Sequence, residues 1–429
     1  MLSSFYNRVI NSNLAKHSFW ALSGNVISKG LSLLAAIIVA RILGSEVYGE
    51  YGMIKNTLLY IAVFSTFGLG FTATKFVAQN KDSSPDRIRS IIYSAIIISL
   101  TFSGLMALMV LVFAKQLAFF LEDPSLTNSL RYTALVVVFN ALATVQIGIM
   151  AGLKLFKITA KINIFVGIIN FVLSIFLTFK NGLEGAIIAL LITNMANCIL
   201  NYIELKRILN TFPNREYRIF NEIKNQIIFS TPIALQESSF SISFWASNLV
   251  LVKWADYSQL GLHSAAAQWT AIILFIPSVL QNVMLSYLSE SKSSISKEMQ
   301  NSLLKRMLMI NFTATFFPFL LCLALSPFIV TLYGESYKGL SIVLNIAMAA
   351  TIFRCLVQVF IQEFIAIGLT WTLCGIRLGR DLLSLVLTLI FINQFKENAA
   401  ALYNATFLIA SAFCLTLMWV LYNKLSKSE

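Results

Sequence analysis

Lys29 and Arg354 sit where an apolar chain should not hold a charge. Each falls near the middle of an apolar run of about twenty residues, where a cation costs at least about 2.5–3.5 kcal/mol on insertion. Such a residue needs an opposite charge or a hydrated cavity, and a cavity lined by cations takes an anion. The neighbours favour a cavity. Asn25, Ser28 and Ser32 recur at three- and four-residue steps around Lys29, and Gln358 and Gln362 follow Arg354 at four-residue steps. Each cation therefore heads a polar helical face. Lys55, about one turn inside the surface on the next run, adds a third cation. Glu237, with Ser241 and Asn248, makes a similar face around a carboxylate. Two roles are open to it. A carboxylate in a low-dielectric cavity can carry a proton on one limb of a transport cycle, or it can stand as a fixed counter-ion to Lys29. The substrate-binding candidates are Lys29, Arg354, Lys55, Asn25 and Gln358, and the ion-coupling candidate is Glu237. Nothing points to catalysis, a metal or a cofactor. His17 and His263 lie far apart, and Cys198, Cys322, Cys355, Cys374 and Cys414 are scattered through apolar runs without CxxC spacing.

The elements that must position these residues follow from composition. Of 429 residues, 58% are hydrophobic and 12% charged, and the mean hydropathy is +0.78. A soluble domain is roughly 45–50% apolar and about 25% charged. Nucleic-acid-binding domains, cytosolic enzymes and disulfide scaffolds are excluded, and an all-α integral membrane protein is left. Cutting the apolar runs at charged and Asn/Gly/Pro clusters predicts twelve spans, near 18–43, 51–78, 90–114, 129–152, 162–180, 185–205, 226–252, 262–288, 305–331, 341–368, 370–392 and 399–422. They must be helices, because lipid offers no partner to an open backbone group. The net charge of +13 belongs to cytoplasmic loops, where Lys and Arg collect. Arg87, Arg89, Lys154, Lys157, Arg215, Arg218, Lys305, Arg306, Arg377, Arg380 and Lys427 are among those on one side, and only Lys115, Arg131, Lys180, Lys253, Lys338 and Lys396 fall on the other. Both termini are expected in the cytoplasm. A basic connector over about 206–226 divides the chain into an N-lobe, 1–212, and a C-lobe, 213–429.

The lobes repeat one another. Arg41, Gly49 and Asn56 recur as Lys253, Gly261 and Gln268, and Gln146 and Gly152 recur as Gln362 and Gly368. The offsets of about 212 and 216 residues are close enough for one duplication. With an even number of spans, both lobes enter the membrane from the same side, a design in which substrate binds between halves. Pro232, Pro277, Pro318 and Pro327 interrupt spans of the second half only, where kinks are expected.

The stretch WALSGNVISKGLSLLAAIIVARILGSEVYGEYGMIKNT, followed by GLGFTATKFVAQN, resembles the N-terminus of Wzx-type O-antigen flippases, polysaccharide transporters of the MATE-like MOP flippase superfamily. Arg41, Leu43, Gly44, Gly49 and Tyr51 carry the resemblance, with the run that starts at Thr74. Capsule, lipid II and teichoic-type relatives share that run. The resemblance implies two helical bundles in a V, opening alternately to each side of a bacterial inner membrane. It implies an undecaprenyl-diphosphate-linked oligosaccharide as substrate, moved from the cytoplasmic to the periplasmic leaflet. Membrane lipids and the polysaccharide polymerase or chain-length machinery are the implied partners, nucleic acid is not one, and Lys29 is the best positional match to the family's substrate-contacting cations.

Two other classes compete. A multidrug exporter of the same superfamily would favour acidic and aromatic cavity groups, whereas this chain carries more Lys and Arg than carboxylate at depth. A polytopic polymerase or ligase would need a large outer loop and an acid/base grouping, and neither stands out.

Overall fold

The computed structural model of the chain describes residues 13–80, 85–210, 212, 219–278, 297–366 and 369–428. Among the described residues every regular element is helical. The helices are α1 (Asn13–Thr66), α2 (Leu69–Asn80), α3 (Pro85–Phe120), α4 (Thr127–Gly152), α5 (Phe156–Leu209) and α6 (Ile219–Trp254). They continue as α7 (Tyr257–Ile273), α8 (Lys297–Ala324), α9 (Ser326–Tyr333), α10 (Leu340–Ala366), α11 (Thr370–Phe391) and α12 (Ala399–Ser428).

Both α1 and α5 run to 54 residues, about 80 Å at 1.5 Å per residue. That is far more than a hydrocarbon core of about 30 Å. Each breaks once. Gly44 (φ 76°) divides α1 and Gly182 (φ 56°) divides α5, conformations that an L side chain resists. The predicted spans 18–43, 162–180 and 185–205 are thereby separated from their neighbours. One expectation needs correction. The span predicted over 51–78 is not continuous, because Phe67 (φ 48°) and Gly68 (φ 68°) interrupt it between α1 and α2. The Phe67 ring stacks on Phe102 of α3 with centroids 4.4 Å apart, and this contact holds a non-glycine residue in the left-handed region. Span 262–288 is matched by α7 up to Ile273, and its end at 279–288 lies outside the described residues. Of the prolines, Pro318 lies inside α8, while Pro327 opens α9 instead of kinking a helix.

The chain divides into two compact units. The first holds Met1–Leu43 and Met53–Ile242, and the second Gly44–Gly52 and Ser243–Glu429. The boundary expected at 212/213 thus falls about thirty residues earlier than the division of contacts. The reason is polar. Glu222 of α6 accepts from Arg87 Nη2 at 2.6 Å and Nε at 3.0 Å, and Gln226 donates to the Ile91 carbonyl at 3.0 Å and Ser94 Oγ at 2.7 Å. Ser230 meets Thr72 at 2.7 Å. These bonds tie the first turns of α6 to α2 and α3.

Each unit is built around one central helix. In the first, α4 packs on α2, α3 and α5, and in the second, α10 packs on α7, α8 and α12. Their most apolar windows are 56% and 50% buried, against 22–28% for the other five candidate membrane spans. The central helices are also the two that carry the Gln146 and Gln362 landmarks, and both glutamines are buried. The other landmark pair meets directly inside the second unit. A Cβ on Gly49 would overlap the Tyr257 carbonyl oxygen, and one on Gly261 would overlap the Ser45 carbonyl oxygen. Tyr257 lies 212 residues after Ser45, as Gly261 does after Gly49. The contact maps onto itself under the repeat, as an isologous interface between two like segments must. Ser45 and Ser258 hydroxyls close it at 2.9 Å.

Candidate functional site

The first unit holds Lys29 and Lys55, and the second holds Arg354 and Gln358. Lys29 is exposed on α1. Its expected polar face is only partly free. Ser28 packs against α5 so closely that a Cβ on Gly167 would lie 3.0 Å from its hydroxyl, and Ser32 donates to the Ser28 carbonyl at 2.9 Å. Lys55 is half-buried, three residues after Gly52, where the chain returns from the second unit to the first. The side chains of Asn25 and Glu237 lie outside the described residues, as do Arg215 and Arg218 of the connector. Lys75 of α2 sits 3.8 Å from the Phe229 ring centroid, a cation–π contact within the unit.

The same unit carries a set of amides besides the charged candidates. Asn163, Asn170, Asn194, Asn197 and Asn201 all lie on α5. Asn140 of α4 donates to Asn194 at 3.2 Å, and Asn201 donates to Asn197 at 2.8 Å. Their spacing of seven, or of three and four, is a helical stripe and was visible in the sequence.

In the second unit Arg354 is half-buried on α10, with Gln358 half-buried one turn on. Its guanidinium carbon stands 5.7 Å from the Phe407 ring centroid. Arg380 approaches the same ring at 5.3 Å. Arg380 corrects an expectation, because it was placed at the cytoplasmic edge. It is instead buried at the eleventh of the 22 residues of α11. Asp381 makes this depth tolerable by accepting from Arg380 Nε at 2.8 Å and Nη2 at 2.6 Å. Attraction within a pair offsets part of the cost of taking each charge out of water. Among the described residues no carboxylate lies within 4 Å of Arg354, whose recorded neighbour is the Phe407 ring.

Next to this cluster the buried His263 ring on α7 meets Tyr403 edge to face at 5.0 Å. Asn404 Nδ2 faces His263 Nδ1 at 3.1 Å and the Ala400 carbonyl at 2.7 Å. A group that faces a carbonyl must be the amide nitrogen, so Nδ1 accepts and a neutral ring carries its proton on Nε2. Among the described residues no hydrogen-bond partner meets that Nε2. The sequence showed His263 only as half of a metal pair too distant to form. Among the described residues no group of three or more His, Cys, Asp or Glu could hold a metal. All five cysteines are free, and all but Cys374 are buried.

Residues 14–292 match the family model described as "Polysaccharide biosynthesis protein". A stretch of 110 residues is 32% identical to the "Putative O-antigen transporter" of Escherichia coli (strain K12), covering 24% of this chain and 26% of that protein. The chain thus matches about a quarter of that relative's length. Two solved structures share the fold. One is an inward-facing multidrug resistance MATE family transporter of the MOP superfamily, with TM-score 0.80 and 14% identity over 96% of this chain and 98% of that one. The other is the lipid II flippase MurJ in an inward closed conformation, with TM-score 0.73 and 17% identity over 92% and 86%.

Proposed function

The chain belongs to the polysaccharide biosynthesis protein family, and on that ground we propose that it is a flippase and not an enzyme. Its substrate in this reading is an undecaprenyl-diphosphate-linked oligosaccharide, an O-antigen or similar repeat unit. It moves the substrate from the cytoplasmic to the periplasmic leaflet of a bacterial inner membrane by alternating access. One observation supports the reading above the others. Arg354 is a half-buried guanidinium in a membrane-spanning helix, with Gln358 one turn away and no carboxylate within 4 Å among the described residues. A diphosphate cannot cross hydrocarbon alone, and an open guanidinium offsets its desolvation through charge-assisted hydrogen bonds. Lys29 and Lys55 add charge in the first unit, and Asn25 and Gln358 hydrogen-bond the glycan. Glu237 couples the cycle to a proton gradient.

A multidrug exporter is the second reading, favoured by the likeness of fold to a MATE family transporter. The charge at Arg354 counts against it, since an organic cation would be repelled. The test is complementation of a deletion strain, reading surface polysaccharide together with the leaflet location of lipid-linked precursors. Arg354→Ala and Lys29→Ala should insert normally but lose surface polysaccharide, and Lys29→Arg should retain part of it. Full export by both alanine variants at normal protein levels would remove these residues from the site. Precursors reaching the outer leaflet unhindered in the deletion strain would remove the flippase reading itself.

A further inference from the structure

The second unit carries a groove that the charge cluster does not use. On the far side of α10 from Arg354, a cleft of about 1130 Å³ opens between α8, α10 and α12. It exists because α8 and α12 both pack on α10 but scarcely on each other. Aromatic rings dominate its walls, Phe312 from α8, Phe353 and Phe360 from α10, and Phe413 and Trp419 from α12. Its one hydroxyl, on Thr416, donates to the Ala412 carbonyl at 2.7 Å and is spent. Besides the Trp419 indole N–H, the remaining polar group is the exposed Lys305, which has no carboxylate within 4 Å among the described residues. At that end Tyr422 donates to Asn301 at 2.7 Å, pinning α12 to α8, and its ring meets Phe360 edge to face.

The dimensions and placement select an occupant. Along α12 the lining runs from Ile409 to Trp419, about 15 Å of helix. This is roughly half of a hydrocarbon core of about 30 Å. The closed end carries Lys305 and Arg306, both exposed, and the basic ends of membrane helices face the cytoplasm. The groove therefore occupies the cytoplasmic-leaflet half of the unit. An anionic head group at Lys305 with a long apolar tail directed toward the bilayer centre matches both its charge and its walls.

We propose that this groove holds the polyprenyl chain of the lipid-linked substrate while it is in the cytoplasmic leaflet, with a phosphate oxygen at Lys305. The inference rests on the flippase reading. The head group would then be drawn toward the Arg354 side of α10 while the tail stays in the groove, so the lipid never leaves hydrocarbon.

The test uses the full chain in proteoliposomes of dioleoyl phosphatidylethanolamine and phosphatidylglycerol, with a diazirine-bearing geranylgeranyl diphosphate as the probe. Light should attach it to α12 between Ile409 and Trp419. Excess unlabelled polyprenyl diphosphate should compete, and added phosphatidylglycerol should not. Lys305→Glu should lower labelling by roughly tenfold. Ala412→Trp, which fills the groove, should abolish it, and Thr416→Phe gives a second, smaller filling should the tryptophan not fold. Labelling unchanged by Lys305→Glu and by the filling substitutions would overturn the groove assignment. Equal competition by phosphatidylglycerol would make it a site for bulk lipid and overturn it likewise. Probe bound elsewhere on the chain would overturn the groove and leave the flippase reading standing. No binding of polyprenyl diphosphate anywhere on the chain would overturn both.

Discussion

Arg380 and Asp381 show how a membrane interior sorts its charges. At 2.6 Å and largely out of solvent, they offset part of each other's desolvation, whereas Arg354, close to the same ring, has no carboxylate within 4 Å among the described residues. Removing one member of a buried pair strands the other. Arg380→Ala should therefore cost about 3–5 kcal/mol of stability, read as a fall in the thermal unfolding temperature in detergent. Removing both partners should cost much less, and equal losses in the single and double variants would count against the pairing. Arg354→Ala should leave stability nearly unchanged, because it breaks no ion pair. Glu237→Gln should keep substrate binding while transport stops responding to an imposed proton gradient. Unaltered gradient dependence in that variant would end its coupling role. His263 was legible as a residue but not as a hydrogen-bond acceptor, since its tautomer is set by Asn404, 141 residues away.

Among the elements, the clasp between Ser45–Gly49 and Tyr257–Gly261 is the most exacting. Two backbones meet where each glycine faces the other segment's carbonyl, and neither can move aside as a side chain could. Overpacking a core ordinarily costs about 1–3 kcal/mol, and a clash with backbone lies at or above the top of that range. Gly49→Ala and Gly261→Ala should each lower the yield of folded protein, and to a similar extent, because the contact is its own image. If Gly49→Ala proved neutral in detergent melting curves, the close approach would not persist in solution. The break at Phe67–Gly68 belongs to this scale too. The sequence marks the place only with Gly68 and Gly70, and the positive φ of Phe67 and Gly68 together with the Phe67 stack on Phe102 show that the helix stops there.

For the whole molecule, the charge bias makes a topological prediction. Cysteines introduced at Arg87 and Lys427 should be labelled from the cytoplasm, and those at Lys115 and Lys396 from the outside. Labelling of the 206–226 connector from the outside would invert one half and end the parallel-repeat model.

The sequence by itself determined the membrane class, the helical composition and the fact of an internal repeat. Those properties are additive over local windows, because hydropathy, helix length and glycine spacing are set by near neighbours. It also singled out Arg354 as a charge at depth. The tertiary structure alone decided which charges are spent and which remain. Arg380 read as a loop cation until Asp381 and Phe407 were seen around it, and the early turns of α6 read as the second half until Arg87, Ser94 and Thr72 claimed them for the first. The groove beside Lys305 was equally hidden, since its walls come from residues 305–312, 353–360 and 409–419. Pairing and concavity depend on which distant segments meet, and no local window contains that information.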